Sequence, residues 1–378
     1  MNYRPPTSSV GRHLLAGDSG SRAIRSSWPQ RLGHQAFAPE TRHVRYGDLE
    51  NVSTNHGERA AIGFGCAGLF GLVRKQDRRA MLEAAYDVGI RHFDVAPIYG
   101  LGIAEAELGE FLSRHDEVTV GTKFGLDVTG FGRLAGATQA PIRRVLNRAP
   151  ALNRAAKKSG HKPSAGRAAK LLYSERDYSV ANAQRSLTAS LRAMKRDRLD
   201  YFFLHEPAGA SHERFDDIAD YLDDECRKGT IRWWGPAGDF PEGGRGSAGL
   251  IDRASALQCR YDFINGFAGP LPNGDRQMLT FGFLSGALEH VRAIFGAAPQ
   301  LQRQCADLVG ADWNDRDTLA GLLVRDAVGR PDVGVVLYST TNRGHLESIF
   351  GDMERATPGD AELMAAVRHR INETETGK

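Results

Sequence analysis

The chain has few cysteines and no long apolar run. These absences argue against a protein held together by disulfides or zinc and against a membrane-spanning protein. Its 378 residues include four cysteines, and these lie apart without C-x-x-C or other metal-ligand spacing. Neither a zinc site nor a disulfide framework is therefore predicted. No run of about 18 apolar residues occurs and the N-terminus lacks a secretory apolar segment, so we expect neither a membrane span nor export. These absences favour the reducing cytoplasm.

The chain also has little excess charge. A net charge of +3 is small for this length, so the composition as a whole does not indicate nucleic acid or an acidic membrane as a partner. A hydrophobic content of 41% in 378 residues suits one α/β barrel with extensions, or two smaller domains. The alternation of strand-like and helical runs described below favours the single barrel.

Residues 1–50 are rich in Gly, Ser, Pro and Arg and have no hydrophobic periodicity. This composition predicts a mobile, disordered leader. Mitochondrial transit peptides share it, but Pro5, Pro6 and several glycines would interrupt their amphipathic helix, so a disordered tail is the preferred interpretation. We expect residues 51–378 to form one domain.

Strand and helix patterns alternate from residue 61 onwards. Apolar strands are predicted at 61–68, before Asp94, at 117–123 and before His205, and the segments between them have apolar residues at helical spacing. Ser179 is placed to cap the helix before the His205 strand. Continued eight times, such alternation predicts a (β/α)8 TIM barrel. In 239–312 only strands are predicted, and their boundaries are approximate.

A basic insertion interrupts the alternation after the third strand. Residues 126–172 hold ten Lys or Arg against one acid, Asp127, whereas βα connections usually have about 2–6 residues. Clustered cations such as Arg143, Arg144, Lys157 and Lys158 would suit phosphate contacts, but the interleaved aromatics of single-strand binders are lacking. A solvated loop is the common outcome, and among functional interpretations we prefer a lid over the barrel.

Four side chains at or just after predicted strand ends can together build a proton-donating site. They are Asp94, Tyr99, Lys123 and His205. Tyrosine is a weak acid with an ordinary pKa of about 10, but an adjacent Lys123 ammonium lowers that value. Asp94 would keep the buried ammonium charged, and His205 would donate a hydrogen bond to a substrate carbonyl.

Each of these residues alone has a structural alternative. Asp94 and Lys123 would serve as a barrel ion pair, and a single histidine is more often a hydrogen-bonded core residue. Because barrel enzymes build their sites at strand C-terminal ends, and because all four types occur together, catalysis is preferred with Tyr99 as proton donor. Trp233 and Trp234 are expected in the core.

These segments resemble the aldo-keto reductase superfamily over most of residues 61–351. The resemblance rests on FDVAPIYG with AEAELG, TKFG, DRLDYFFLHEP, FGFLSGAL and VVLYSTTNRGHLESI, in matching order and spacing. It implies a (β/α)8 barrel in which Asp94, Tyr99, Lys123 and His205 form a catalytic tetrad. It also implies an extended nicotinamide cofactor, NADP in preference to NAD, without a Rossmann glycine fingerprint, and no metal.

The resemblance further implies cofactor-binding residues. Gly65 ends the first strand near the nicotinamide, although an ordinary tight turn explains this glycine equally well. Gln258 would hold the carboxamide, and Thr280 and Phe281 are the nearest candidates for the position that stacks on the ring. The remaining implied residues lie in the loops after the seventh and eighth strands, and they are Leu284, Gly286, Ser339, Thr340, Thr341 and Arg343.

Three places depart from the family pattern. Ala237 and Gly238 replace a Ser-Asn pair that contacts the carboxamide, Ile349 replaces an asparagine that many relatives use for adenine, and Ser339 and His345 occupy places that are often basic. A 2′-phosphate needs charge-assisted donors, so the NADP preference depends on Arg343 and the neighbouring hydroxyls. A solvated Arg343 is the alternative.

The sequence therefore predicts an NAD(P)H-dependent oxidoreductase that reduces an aldehyde or ketone, or that oxidises an alcohol or sugar lactol. The altered carboxamide and phosphate positions leave a second hypothesis, a cofactor-binding regulatory protein with little turnover, against which the complete tetrad argues. The expected partner is a small carbonyl or sugar substrate, and neither nucleic acid nor a membrane is expected. The sequence fixes neither the substrate nor the oligomeric state.

Overall fold

A computed structural model describes residues 60–130, 132–133, 172–207, 215–240, 248–268, 276–284, 286–330, 332–354 and 359–376. The chain divides into two units, Met1–His43 and Val44–Lys378, and every described residue belongs to the second. The leader at 1–50 and most of the insertion at 126–172 lie outside the described residues. The proposed division into a leader and one domain from residue 51 therefore stays a prediction.

Eight parallel strands close a barrel, with one short strand beside them. In chain order the strands are β1 (Ala61–Gly65), β2 (His92–Asp94), β3 (Thr119–Phe124), β4 (Leu199–His205), β5 (Ile231–Gly238), β6 (Ala256–Asp262), β7 (Gly266–Phe267), β8 (Gln277–Phe281) and β9 (Val335–Tyr338). Neighbours pair in the order β1-β2-β3-β4-β5-β6-β8-β9, and β9 returns to β1. The small β7 pairs antiparallel to β6. The predicted (β/α)8 barrel is confirmed.

The described helices lie between and after the strands. They are α1 (Lys75–Asp87), α2 (Ala104–Leu112), α3 (Val180–Met194), α4 (Phe215–Lys228), α5 (Ala248–Arg253), α6 (Ala287–Ala297), α7 (Pro299–Val309), α8 (Arg316–Val328), α9 (Arg343–Glu354) and α10 (Asp360–Thr376). The predicted cap of α3 is confirmed, because Ser179 Oγ accepts from the Asn182 amide at 3.2 Å. None of these described helices is long and apolar enough to cross a membrane.

The side chains of each barrel strand alternate between the barrel interior and the surrounding helices. A compact apolar cluster fills the interior, formed by Tyr201, Phe203, Ala237, Ala256, Leu279, Val335 and Leu337. Gly63 is needed there because an added Cβ would lie 2.9 Å from side-chain atoms of His92, Val335 and Leu337. Trp234 lies in the outer core and donates to Asp223 at 2.7 Å, as expected for a core residue.

The structure differs most from the sequence prediction within residues 239–312. Only strands were expected there, but α5, α6 and α7 also form. A single residue, Ala298, separates α6 from α7, and Pro299 begins the second helix, so the apolar periodicity changes phase within a few residues. Conversely, no helix is present in the described residues that connect β6 to β8, namely 263–268 and 276.

Candidate active site

The carboxyl ends of β2, β3 and β4 bring three of the predicted residues together. Asp94 ends β2, Lys123 is the penultimate residue of β3, and His205 ends β4. Parallel pairing aligns these neighbouring strands, so all three side chains lie at the same face of the barrel. All three are buried, with exposed fractions of 4%, 3% and 8% in that order.

Lys123 and Asp94 form a buried ion pair. Lys123 Nζ lies 2.6 Å from Asp94 Oδ2 and also donates to the Val95 carbonyl at 3.0 Å. Burial opposes the charge on Lys123, but the Asp94 carboxylate and Tyr99 outweigh burial, so the pKa of Lys123 lies above its ordinary value. The ammonium therefore stays charged at neutral pH, as the sequence analysis expected.

The second oxygen of Asp94 has a donor from the opposite side of the barrel. Gln258, on β6, is buried and donates through Nε2 to Asp94 Oδ1 at 2.8 Å. Both carboxylate oxygens are thus hydrogen-bonded. The structure brings Gln258 into contact with the predicted tetrad, and its role toward a nicotinamide carboxamide stays a prediction.

Tyr99 begins a short 3-10 turn, Tyr99–Leu101, that follows β2. The turn needs Gly100, which has φ +62° and whose added Cβ would lie 2.5 Å from the Phe70 ring. Lys123 Nζ is 5.5 Å from the centroid of the Tyr99 ring. The ammonium lowers the pKa of Tyr99 as expected, but burial raises it more, so the expected net decrease is wrong in this structure. Tyr99 is a protonated donor at neutral pH.

His205 faces Tyr99 edge-on, with 6.3 Å between the ring centroids. Burial, and then the positive charges of Lys123 and Arg176, lower the pKa of His205 to about 3. The imidazole is therefore neutral, with one nitrogen able to donate and one able to accept. Among the described residues no hydrogen-bond partner contacts its buried Nδ1.

Two residues near the site were missed by the sequence analysis. Cys66 directly follows Gly65; it is buried, its amide donates to the Asp94 carbonyl at 2.8 Å, and burial together with Asp94 raises the pKa of its thiol. Arg260 lies two residues after Gln258 on the same face of β6, with its guanidinium 5.2 Å from the Phe281 ring centroid. The period-2 pattern of β6 was a signal for Arg260.

Most of the predicted cofactor residues lie in loops at this same face. The Gly68 amide donates to Ser339 Oγ at 3.3 Å, so the loop after β1, which follows Gly65, lies against the loop that contains Thr340 and Thr341. Gly286 precedes α6 and Leu284 packs against the barrel core. Two helix N-termini, those of α6 and α9, therefore open at the ends of β8 and β9, where backbone N–H groups favour phosphates.

The backbone donors of these loops fit the phosphates of a dinucleotide. Several side chains near them, however, do not offer the contacts that the family pattern implies. Arg343 Nε lies 3.0 Å from Glu347 Oε1, and both side chains are exposed, as the solvated alternative predicted. Ile349 is buried in the core and offers no polar group to adenine. Ala237 packs inside the barrel, and a Cβ on Gly238 would lie 3.2 Å from the Cα of Glu206.

The described part of the chain contains no candidate metal-binding site. No group of three or more His, Cys, Asp or Glu residues among the described ranges is arranged to hold a metal ion. The buried charges of the site are those of the Lys123–Asp94 pair. The chemistry that these groups support is proton donation next to a buried ammonium.

Part of this chain is similar to known proteins. Residues 61–239 match the model of the Aldo/keto reductase family. A D-threo-aldose 1-dehydrogenase from Pseudomonas sp is 47% identical over 70 residues, which cover 17% of this chain and 21% of that protein. The aligned region thus spans about a fifth of that curated relative.

Solved structures show the same fold. A holo-form aldo-keto reductase from Bacillus halodurans aligns with a TM-score of 0.57 and 15% identity over 82% of this chain and 96% of that one. A Klebsiella pneumoniae aldo-keto reductase in complex with NADPH aligns with a TM-score of 0.52 and 17% identity over 82% and 91% of the two chains. The family model thus covers residues 61–239 of this chain, a stretch that includes Asp94, Tyr99, Lys123 and His205, and the closed barrel is the fold that the resemblance implied.

Proposed function

We propose that the protein is an NADP(H)-dependent oxidoreductase that reduces an aldehyde or ketone to an alcohol, or oxidises an alcohol or sugar lactol in reverse. Tyr99 is the proton donor. The observation that carries the proposal is the buried Lys123–Asp94 pair, 2.6 Å apart, beside Tyr99 and a neutral His205. A bound nicotinamide would supply the hydride to carbon in the reduction and accept it from carbon in the oxidation.

The four side chains have separate tasks. His205 donates a hydrogen bond that orients the substrate carbonyl and stabilises charge on its oxygen. Burial keeps the Tyr99 hydroxyl protonated, so its proton passes to that oxygen as the C=O electron pair shifts onto it. Lys123, held charged by Asp94, then stabilises the phenolate. In the oxidative direction the phenolate accepts the proton from the alcohol.

Three features of the face support NADP. Phe281 offers an aromatic surface, the N-termini of α6 and α9 offer backbone donors, and Arg343 offers a cation for a 2′-phosphate. The Klebsiella pneumoniae relative of the same fold binds NADPH. Because Glu347 shares the Arg343 guanidinium, we propose NADP ahead of NAD by a small margin.

A polar carbonyl compound or sugar is the proposed substrate class. Two partly exposed arginine–carboxylate pairs involve the residues that directly follow β4 and β5. Arg176 Nη2 lies 2.7 Å from Glu206 Oε2, and Arg260 Nε lies 3.0 Å from Asp239 Oδ1. Such pairs offer both donors and acceptors to hydroxyl groups. The Pseudomonas relative is named for an aldose substrate. Cytoplasmic location and the expected lack of nucleic-acid and membrane partners stay predictions.

The test is titration with NADPH and NADH, followed by turnover on a panel of aldehydes, ketones and sugars. We expect Tyr99→Phe to lower kcat by about 10²–10⁴-fold, the usual contribution of a positioned acid, while NADPH affinity is unchanged. Tyr86→Phe is the matched control, since its hydroxyl contacts Glu117 on the outer surface. Full activity in Tyr99→Phe would exclude this acid, and NADPH binding without any wild-type turnover would favour the regulatory alternative.

A further inference from the structure

A short arm returns from the insertion to the barrel face and passes beside His205. It comprises residues 172–178, and it runs along the chain that leaves β3. The Ser174 amide donates to the Asp127 carbonyl at 2.9 Å, and the Asp177 amide donates to the Gly125 carbonyl at 2.9 Å. These bonds fix the end of the arm, so its last residue, Tyr178, reaches the end of β4.

The Tyr178 hydroxyl contacts the backbone at the end of β4. It donates to the His205 carbonyl at 2.5 Å and lies 3.0 Å from the Glu206 carbonyl oxygen. The Tyr178 ring is itself held, because it packs against Phe124 and would lie 2.1 Å from a Cβ on Gly125. Gly125, with φ +100°, is therefore needed for this close approach.

The backbone that Tyr178 holds is strained. Glu206 has φ +54°, a left-handed conformation that is unfavourable for a residue with a Cβ. Such a conformation persists only where the surroundings fix it. Here the Glu206 amide donates to the Ala237 carbonyl at 2.7 Å and its carboxylate pairs with Arg176 at 2.7 Å. Tyr178 supplies the remaining restraint.

His205 depends on this restraint more than a typical catalytic histidine does. A catalytic imidazole is usually oriented by a hydrogen bond at its second ring nitrogen. Within the described ranges, His205 Nδ1 is buried and has no such partner. The position of the ring is therefore set by packing and by the backbone at His205 and Glu206.

We propose that Tyr178 is a positioning residue for His205, whose hydroxyl holds the strained turn at Glu206 and so sets the imidazole toward the substrate carbonyl. The inference rests on the proposed function, because His205 needs a carbonyl to orient. It links the base of the insertion to the reacting centre through one hydroxyl group.

Tyr178→Phe tests the inference, since it keeps the packed ring and removes only the hydroxyl. Because a hydrogen bond contributes about 0.5–1.5 kcal/mol, we expect kcat/KM for the carbonyl substrate to fall roughly two- to twelve-fold. The fall should combine a higher carbonyl KM with a lower kcat, while NADPH affinity stays unchanged. Tyr173→Phe is the matched control from the same arm, since Tyr173 is exposed.

The pH profile separates positioning from simple stability. Among the described residues, the titratable and charged groups near His205 include Tyr99, Lys123, Arg176, Glu206 and Tyr178 itself. When the turn relaxes, the imidazole gains water and its low pKa rises toward the ordinary 6.5. The acid limb of kcat/KM should therefore move to higher pH in Tyr178→Phe and stay in place in Tyr173→Phe.

The outcomes are distinguishable. Identical kcat/KM and pH profiles in the two variants would overturn the inference while the proposed function stands. If Tyr178→Phe unfolds at the assay temperature, wild type and both variants are compared at a lower temperature at which circular dichroism shows Tyr178→Phe folded, and identical kcat/KM values there also overturn the inference. A wild-type protein without NADPH binding or turnover overturns the proposed function and this inference together.

Discussion

At the scale of single residues, the buried carboxylate of Asp94 depends on two hydrogen-bond donors from opposite sides of the barrel. Lys123 contacts one carboxylate oxygen and Gln258 the other. Methionine at position 258 would keep the side-chain volume but leave Asp94 Oδ1 unpaired in a buried place, which costs about 1–3 kcal/mol. We therefore expect Gln258→Met to lower the free energy of unfolding, measured by urea denaturation, by that amount.

Gln184→Met on the exposed face of α3 is the control, with an expected change of less than about 0.5 kcal/mol. The kinetics add a second readout, because a displaced Asp94 weakens the hold on the Lys123 ammonium and lowers kcat. If Gln258→Met instead leaves stability unchanged and weakens NADPH binding, the amide serves the cofactor carboxamide, as the resemblance implies.

The sequence predicted where the tetrad residues lie but not what surrounds them. Strand ends are visible in the alternation of apolar residues, so Asp94, Lys123 and His205 could be placed at one face. The raised pKa of Tyr99 could not be predicted, because it comes mainly from burial, and Tyr99 packs against the core cluster only in the folded chain. Tyr178 gave no signal, since it reaches His205 only after a long insertion.

At the scale of elements, the buried carboxyl group of Glu105 on α2 links this helix to β3 and α3. Its described hydrogen-bond partners are hydroxyl groups and include no cation. Its Oε1 accepts from Thr122 Oγ1 and from Ser190 Oγ, each at 2.7 Å. Burial raises the pKa of Glu105 above its ordinary 4.5, and the two hydroxyls only partly offset this. The folded protein therefore binds this proton more tightly than the unfolded chain does.

The sign of the pH effect follows from that difference. As pH rises from 4.5 through the higher folded pKa, the wild-type protein loses stability. Glutamine keeps the carbonyl acceptor and does not titrate, so we expect Glu105→Gln to be more stable than wild type near neutral pH and about equal to it below pH 4.5. The measurement is the melting temperature across this pH range.

Glu110, on the same helix, provides a control of opposite sign. Its hydrogen bond with Lys75 lowers the pKa of Glu110, so its contribution is present above the ordinary pKa and is lost as pH falls. Glu110→Gln should therefore be slightly less stable than wild type near neutral pH. A Glu105→Gln variant that is less stable than wild type at neutral pH would mean that the new amide N–H group lacks a partner.

Helices could be predicted from the sequence where their apolar residues repeat regularly, and they were missed where the repeat is interrupted. The helices α1, α2 and α3 form in the segments where helical spacing was seen between the predicted strands, because their apolar positions repeat cleanly and Ser179 marks the start of α3. The helices α6 and α7 were missed, since Pro299 begins a new helix after a gap of one residue. The family match also ends at residue 239, where the predicted boundaries were least defined.

At the scale of the whole barrel, a second apolar cluster covers the side where β6 and β8 have no described helix between them. It is formed mainly by α6, α7, α8 and α10, with Phe263, Trp313, Leu322, Met364 and Ile371 among its buried residues. Parallel neighbours usually need a crossover helix to cover the sheet. Here helices from later in the chain provide the apolar cover.

A buried polar network joins this cluster to the barrel. Asp326 on α8 has no exposed surface and accepts hydrogen bonds from the Tyr261 hydroxyl of β6, and from Arg330 and Arg368. Arg368, on α10, also donates to the Phe263 carbonyl. One carboxylate thus connects a barrel strand with two helices. We infer that the cluster and the barrel unfold as one cooperative unit.

Asp326→Ala tests this inference. The substitution leaves a hydroxyl and two guanidinium groups without their shared acceptor, and breaking a buried pair in this way costs about 3–5 kcal/mol. Unfolding in urea should be followed by Trp313 emission in a variant that retains only this tryptophan, and by far-ultraviolet circular dichroism. We expect both probes to shift together to lower urea, whereas Asp307→Ala on the exposed face of α7 leaves them in place. If the Trp313 signal changes first in wild type or in Asp326→Ala, the second cluster is a separate unit and the barrel is stable without it.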